Sequence, residues 1–282
     1  MATIISGKDL SQELKDAMKD EVVNLVNEHG RAPHLVVVLV GNNPSSISYV
    51  TGKEKACEYV GIKNTTLRLD EGTSEESLVN LIEELNIDDS VDGILVQLPL
   101  PKHINEEKII ETIAIEKDVD GFHPLNVANL WLGKEAMIPC TPKGIIKLLE
   151  KADITIAGKN AVVIGRSNIV GLPISKLLLD RNATVTVAHS KTVDLANVTN
   201  KADILIVAVG RPRMLKKEMV KDGAVVIDVG VNRDENGRLC GDVDFDDVVD
   251  VAGVITKVPG GVGPMTITCS MENTIEAFKR KI

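Results

Sequence analysis

The chain has 282 residues, 44% of them apolar, which is enough for two domains or one large one with a sizeable core. A net charge of −9, with no run of Lys and Arg, argues against nucleic acid or an anionic membrane surface as the main partner. The four cysteines lie far apart with no Cys/His grouping of zinc spacing, so no metal site is expected, and MATIISGKDL lacks the basic and apolar regions of a leader. No apolar run approaches the ~20 residues that span a bilayer, and a cytoplasmic protein with reduced, buried thiols is expected.

Aromatic residues make up only 2% of the chain, so Ile, Val, Leu and Ala must fill the interior, a composition suited to parallel sheets covered by helices. Ser6 to His29 is read as an amphipathic helix, with Leu10, Leu14, Met18, Leu25 and Val26 on its apolar side and Gly30 as its stop. HLVVVLV, residues 34–40, is a strand buried on both faces. A helix follows, capped by Ser45 or Ser46 and ended by Gly61. Ile62 to Leu69 reads as a strand, Ser74 to Asn86 as a helix, and Gly93 to Val96 as a buried strand that Pro99 and Pro101 stop. Asn105 to Thr112 and Val127 to Leu132 read as helices around a polar loop, KDVDGFHPLN. Thr141 is placed as the cap of a helix from Pro142 to Glu150.

The second half alternates again. Strands are expected at 160–164, 183–187, 203–207, 224–229 and 254–257, with a helix from Leu172 to Asp180 and a last helix from Met265 to Arg280. The expected fold is therefore α/β in two domains. Residues 1–138 form an N-terminal catalytic domain, and residues 139–264 form a Rossmann-like, doubly wound nucleotide domain. The final helix, 265–282, packs back on the first.

Three stretches carry candidate chemistry. ISYVTGKEKAC puts Tyr49 and Lys53 one helical turn apart, on one face. Such a pair is most often a solvated face, yet in a cleft a phenol beside an amine can handle protons. AVVIGRSNIVGLP lies between a strand and a helix, where backbone N–H groups can face a phosphate. Its spacing is not G-x-G-x-x-G, since Gly165 and Gly171 are separated differently and Ser167 stands at the second glycine's place; a turn with no ligand is the plainer alternative. The strand TVTV then ends in AHSKT with no acid for a ribose 2′-hydroxyl. Arg166, His189, Ser190 and Lys191 suit a 2′-phosphate instead, favouring NADP over NAD, unless Ser190 and Lys191 are ordinary loop residues. Gln97 sits where DGILV ends, at the ligand-binding end of a strand, although a glutamine there can also be satisfied by loop backbone. Asp120 lies in an Asp-Gly loop of the kind that is usually only a turn. Pro259, Gly260 and Gly261 open PGGVGP, either a close backbone approach to a ligand or a flexible connector.

Taken together, SYVTGKEKAC, VDGILVQLPLP, KDVDGFHP, GRSNIVGLP, TVTVAHSKT and PGGVGPMT closely resemble the bifunctional methylenetetrahydrofolate dehydrogenase/methenyltetrahydrofolate cyclohydrolase family, over nearly the whole chain. The resemblance implies a folate cleft between the domains, a homodimer, and a place in one-carbon metabolism and purine biosynthesis. It makes Lys53, Tyr49 and Gln97 catalytic. It assigns Asp120, Tyr49, Pro259, Gly260 and Gly261 to the folate, and Gly165, Arg166, Ser167, Ser190 and Val231 to NADP. Val231 stands where many relatives have Ile. Two chemistries are implied. A hydride moves from the methylene carbon to the nicotinamide, and water then opens the methenyl ring with a proton taken and a proton given. A lysine acting as base has to be neutral, a form favoured by burial beside a cationic ligand. Other readings are a short-chain dehydrogenase, whose Tyr-x-x-x-Lys pair lies after the glycine-rich turn rather than before it, a small-acid dehydrogenase, and a nucleotide-sensing scaffold with no catalysis.

Overall fold

The computed structural model describes residues 2–282. In chain order the elements are β1 (Thr3–Ile5), α1 (Gly7–His29), β2 (His34–Val40), α2 (Pro44–Val60), β3 (Lys63–Leu69), α3 (Glu75–Ile87), β4 (Gly93–Val96), α4 (Glu106–Thr112), α5 (Pro124–Trp131) and α6 (Cys140–Lys151). They continue as β5 (Asn160–Ile164), α7 (Gly171–Asp180), β6 (Thr184–Ala188), α8 (Leu195–Thr199), β7 (Ile204–Val207), β8 (Val225–Asp228), β9 (Asn232–Arg233), β10 (Leu239–Cys240), α9 (Phe245–Val248), β11 (Val254–Thr256) and α10 (Val262–Lys281). No described helix is long and apolar enough to cross a membrane.

One compact unit gathers Gln12–Cys140 with Ile267–Ile282. Its sheet is parallel, in the order β3-β2-β4. Every residue of β2 is buried, and the two-residue period of a strand divides them between two cores. Leu35, Val37 and Leu39 join Met18, Val22 and Leu25 of α1, Val50, Cys57 and Val60 of α2, and Met271, Ile275 and Phe278 of α10. Val36, Val38 and Val40 face Leu78 and Ile82 of α3 and Ile109 of α4. A strand packed by helices on both faces has no use for alternating polar residues, which is why HLVVVLV reads as one apolar run. All four cysteines are buried thiols outside any disulfide, and burial pushes the Cys57 thiol up to about 12, far from any reactive thiolate.

The helix ends follow local chemistry. Asn43, not Ser45 or Ser46, caps α2, its Oδ1 accepting the N–H groups of Ser45 and Ser46 at 2.9 and 3.2 Å, because Pro44 occupies the first helical position. Gly61 closes α2 in the left-handed region at φ 90°, its N–H donating to Cys57 O. The helix after the loop begins at Cys140 rather than Pro142. Thr141 does not cap it, since its hydroxyl pairs with Thr266 Oγ1 at 2.9 Å.

The other unit gathers the described residues up to Ser11 with Thr141–Thr266, where the sequence reading puts 1–138 together. The reason is β1, three residues long and too short to show periodicity, which pairs in parallel with β11 from Thr3↔Val254 to Ile5↔Thr256. The six-stranded sheet is ordered β1-β11-β8-β7-β5-β6, all parallel. From β5 the chain goes to β6 on one side and to β7 on the other, so the crevice at the C-terminal ends of β5 and β7 is the topological switch point where α/β sheets bind ligands.

Candidate active site and nucleotide cleft

The buried stripe of α2 runs through Ser46, Val50, Lys53, Cys57 and Val60, at spacings of three and four, so Lys53 occupies a core-facing position among small and apolar side chains. It is 4% exposed. An amine there needs a polar partner, and β4 supplies one: Lys53 Nζ donates to Gln97 Oε1 at 3.0 Å. Gln97 is fixed in turn. Its Nε2 donates to Leu98 O at 2.8 Å, and its backbone N–H extends the sheet to Val38 O. Glu54, beside Lys53 in sequence, is engaged with Arg68 at 2.9 Å. Tyr49 is half-buried one turn before Lys53, its hydroxyl makes no hydrogen bond among the described residues, and burial raises its pKa.

Asp120 comes to the same region from the loop after α4. It is half-buried; burial raises its pKa, and the nearby Lys53 charge pulls the other way. Its neighbour Asp118 builds the turn. The buried Asp118 carboxylate accepts N–H groups from Gly121, Phe122 and His123 and from the Asn126 side chain, at 2.8 to 3.3 Å. Gly121, at φ 71°, lies so close to the 137–139 backbone that a Cβ would stand 2.5 Å from Met137 O. On α10, Asn273 donates to Val119 O and Ile138 O at 2.8 and 2.9 Å, holding both sides of this loop, and the Cys140 thiol reaches Asp120 Oδ1 at 3.7 Å. From the sequence Asp118 reads only as part of an Asp-Gly turn and Cys140 only as a buried thiol, and Asn126 and Asn273 carry no local mark; each acts on backbone or through a neighbour.

In the other unit a cleft of about 350 Å³ opens at the switch point. Ile164, Gly165 and Arg166 at the end of β5, His189 and Ser190 at the end of β6, and Ala208, Val209 and Arg211 after β7 line it, with Leu195 and Met214 completing an apolar wall. Gly165, at φ 123°, leaves no space for a side chain: a Cβ would sit 2.2 Å from Ala208 O. A Cβ on Gly171 would likewise meet Gly165 O at 2.3 Å, so the first turn of α7 lies directly on the β5 turn. Ser167 Oγ accepts the N–H groups of Val170 and Gly171, shaping the start of α7. Val231 is exposed beyond β8, apart from the residues that line the cleft. No carboxylate lines the cleft, which fits a nucleotide bearing an extra phosphate, since the acid that usually accepts from a ribose 2′-hydroxyl is missing.

The Pro259–Gly261 turn belongs to this unit and is packed, not a loose connector. Gly260 O accepts the Lys8 N–H at 2.9 Å, and a Cβ on Gly7 would stand 1.8 Å from Gly261 O.

Two buried aspartates behind the cleft also went unread in the sequence. Asp242, wholly buried, accepts the N–H groups of Val209, Gly210 and Arg211 at 2.7 to 3.0 Å and the Asn232 side chain at 2.8 Å. Asp228, at the end of β8, accepts those of Gly230, Asp242 and Val243 at 2.9 to 3.0 Å. Burial pushes the Asp228 carboxyl up to about 7.

A doubly wound nucleotide unit, joined in one chain to an α/β unit that buries an amine against an amide, defines a nucleotide-dependent enzyme of the two-domain α/β class. The chain belongs to the tetrahydrofolate dehydrogenase/cyclohydrolase family: its NAD(P)-binding domain is matched by residues 139–282 and its catalytic domain by residues 5–120. It is 57% identical over 280 residues to the bifunctional protein FolD of Listeria innocua, covering 99% of this chain and 98% of that one. The bifunctional FolD methylenetetrahydrofolate dehydrogenase/cyclohydrolase of Campylobacter jejuni has a TM-score of 0.97 to it, 49% identity and complete coverage of both chains. A FolD of Trypanosoma brucei, solved with NADP cofactor and an inhibitor, has a TM-score of 0.95 and 38% identity, covering 99% of this chain and 98% of that one.

Proposed function

We propose that this chain oxidises 5,10-methylenetetrahydrofolate to the 5,10-methenyl form with NADP and hydrolyses that product to 10-formyltetrahydrofolate, with Lys53, Tyr49, Gln97 and Asp120 serving both steps. The observation that carries the reading is the buried Lys53 amine bonded to the neutral Gln97 amide at 3.0 Å. NADP, when bound, supplies the hydride acceptor; the chain's part in that step is alignment, because the methylene carbon leaves a cation already stabilised by two nitrogens.

Hydration is where the residues act on protons. Water adding to the methenyl carbon must lose a proton, and the ring nitrogen that departs must gain one. Lys53 takes the first and delivers the second, Gln97 aims the amine without adding negative charge, and the Tyr49 hydroxyl is free to orient water or substrate. An ionised Asp120 matches the donor edge of the pterin, where a ring N–H and an exocyclic amino group lie side by side. Pro259, Gly260 and Gly261 offer backbone to the folate. Gly165, Arg166, Ser167, Ser190 and Val231 are assigned to NADP, Ser167 by shaping the helix start. Family resemblance further supports a cytoplasmic homodimer whose formyl product feeds purine biosynthesis; sedimentation of the purified protein tests the dimer.

The deciding experiment follows NADPH and methenyltetrahydrofolate absorbance as separate signals, with methylenetetrahydrofolate and either NADP or NAD. Growth of both signals, faster with NADP, is expected. A bound nucleotide with no turnover would instead support the sensing scaffold.

A further inference from the structure

Most arginines near a carboxylate in this protein use it: Arg31 pairs with Asp92, Arg68 with Glu54, Arg181 with Glu150, Arg213 with Asp234 and Arg280 with Glu276. Arg166 and Arg211 differ. Both line the switch-point cleft, and among the described residues neither guanidinium has an ion pair or hydrogen bond. In a chain of net charge −9, two unpaired guanidinium groups on one cleft with no lining carboxylate form a local field of the opposite sign.

Arg211 belongs to none of the motifs read from the sequence, yet its backbone is held by a buried carboxylate. Its N–H donates to Asp242 Oδ1 at 2.7 Å, those of Val209 and Gly210 go to Oδ2, and the loop is tied again by Arg213 N–H to Gly241 O and Leu215 N–H to Asp242 O, each at 3.0 Å. Asp242 is itself fixed by Asp228. A Cβ on Gly230 would stand 2.3 Å from Asp242 Cγ, and one on Gly241 would stand 1.7 Å from Asp228 Oδ2, so the carboxylates fill space that no side chain can share. The result is an exposed, unpaired cation on a rigid backbone at the rim of the cleft.

We propose that Arg211 is a second specificity-determining cation for the 2′-phosphate of NADP, acting with Arg166; this rests on the NADP reading above. A phosphate monoester carries roughly −1.5 to −2 charge at neutral pH, more than one guanidinium neutralises. A second fork from the β7 side supplies the remainder, with the first coming from the β5 side.

Titration calorimetry on the full chain tests this with 2′,5′-ADP and 5′-AMP, which differ only in the 2′-phosphate. Wild type is expected to prefer 2′,5′-ADP; no preference would sink the NADP reading itself, separately from the role of Arg211. Arg211→Gln, an exposed substitution that leaves the fold intact, is expected to weaken 2′,5′-ADP about 10-fold, leave 5′-AMP unchanged and lower the salt dependence of 2′,5′-ADP binding. Wild-type affinity for 2′,5′-ADP in the variant, or equal losses for both probes, would overturn the proposal.

Discussion

The two sheets each place a polar side chain at the C-terminal end of a buried strand, and they use it in opposite ways. After β4, Gln97 offers a neutral oxygen to a buried amine. After β8, Asp228 offers a carboxylate to three backbone N–H groups, and Asp242 repeats the pattern for the loop after β7. A carboxylate surrounded by backbone donors fixes the course of a chain, because those donors have no other partner once buried. An amide on a lysine fixes only a direction and leaves the amine's proton to be exchanged. The first arrangement builds the wall of a binding cleft; the second suits chemistry.

The largest expected effect breaks the chemical side. Lys53→Met should cut cyclohydrolase activity by 10²–10⁴-fold, roughly 3–5 kcal/mol of barrier, while part of the dehydrogenase activity survives and methenyltetrahydrofolate accumulates. Lys53→Arg should fail as well, since a guanidinium stays protonated. Two-channel kinetics read both, with the fold checked by circular dichroism. Full cyclohydrolase activity in Lys53→Met would make the lysine a bystander.

The structural side should show itself in the pH dependence of stability. The Asp228 carboxyl titrates at about 7 when folded, above its ordinary 3.8, so between these values the native state binds more protons than the unfolded chain. Its contribution is therefore fully present below about pH 4, is lost as pH rises toward 7, and is level beyond. The change is on the order of 2–4 kcal/mol. Urea unfolding of wild type and Asp228→Asn across that range isolates it. A difference between the two that is independent of pH would refute the assignment.

Asp120→Asn keeps the size but swaps an acceptor for a donor. Losing a charge-assisted pair at the pterin edge should weaken folate binding by roughly 1.5–3 kcal/mol and lower both activities together. Unchanged folate affinity would remove Asp120 from the substrate site. Gly165→Ala is the converse probe. A side chain forced into φ 123° beside Ala208 O carries strain of about 1–3 kcal/mol, so NADP should bind roughly 10- to 100-fold more weakly. Hydrolysis of supplied methenyltetrahydrofolate, which needs no nucleotide, should persist. Equal loss of both activities would show the turn to be a general stability element.

Much of this was legible from the residues. The apolar runs at 34–40, 93–96 and 160–164 coincide with β2, β4 and β5, because a parallel strand covered on both faces needs apolar residues at every position. Gly61, Ser74 and Asn105 were readable as helix ends, since capping is settled within a few residues of the chain. Lys53, Gln97, Asp120 and Arg166 stood out as polar residues at motif positions. What the sequence could not contain is pairing between distant segments. β1 becomes a strand only because β11 accepts it, some 250 residues later. The bond from Lys53 to Gln97 depends on α2 and β4 packing together. Asp118 and Asp242 read as ordinary loop acids, and Asp228 as the end of a strand, until backbone N–H groups are seen to converge on them, and Arg211 reads as one more surface cation until its loop is seen pinned at the cleft. Local pattern determined the elements and their ends; burial, which is set by the whole chain, decided which polar groups hold the fold and which remain free to react.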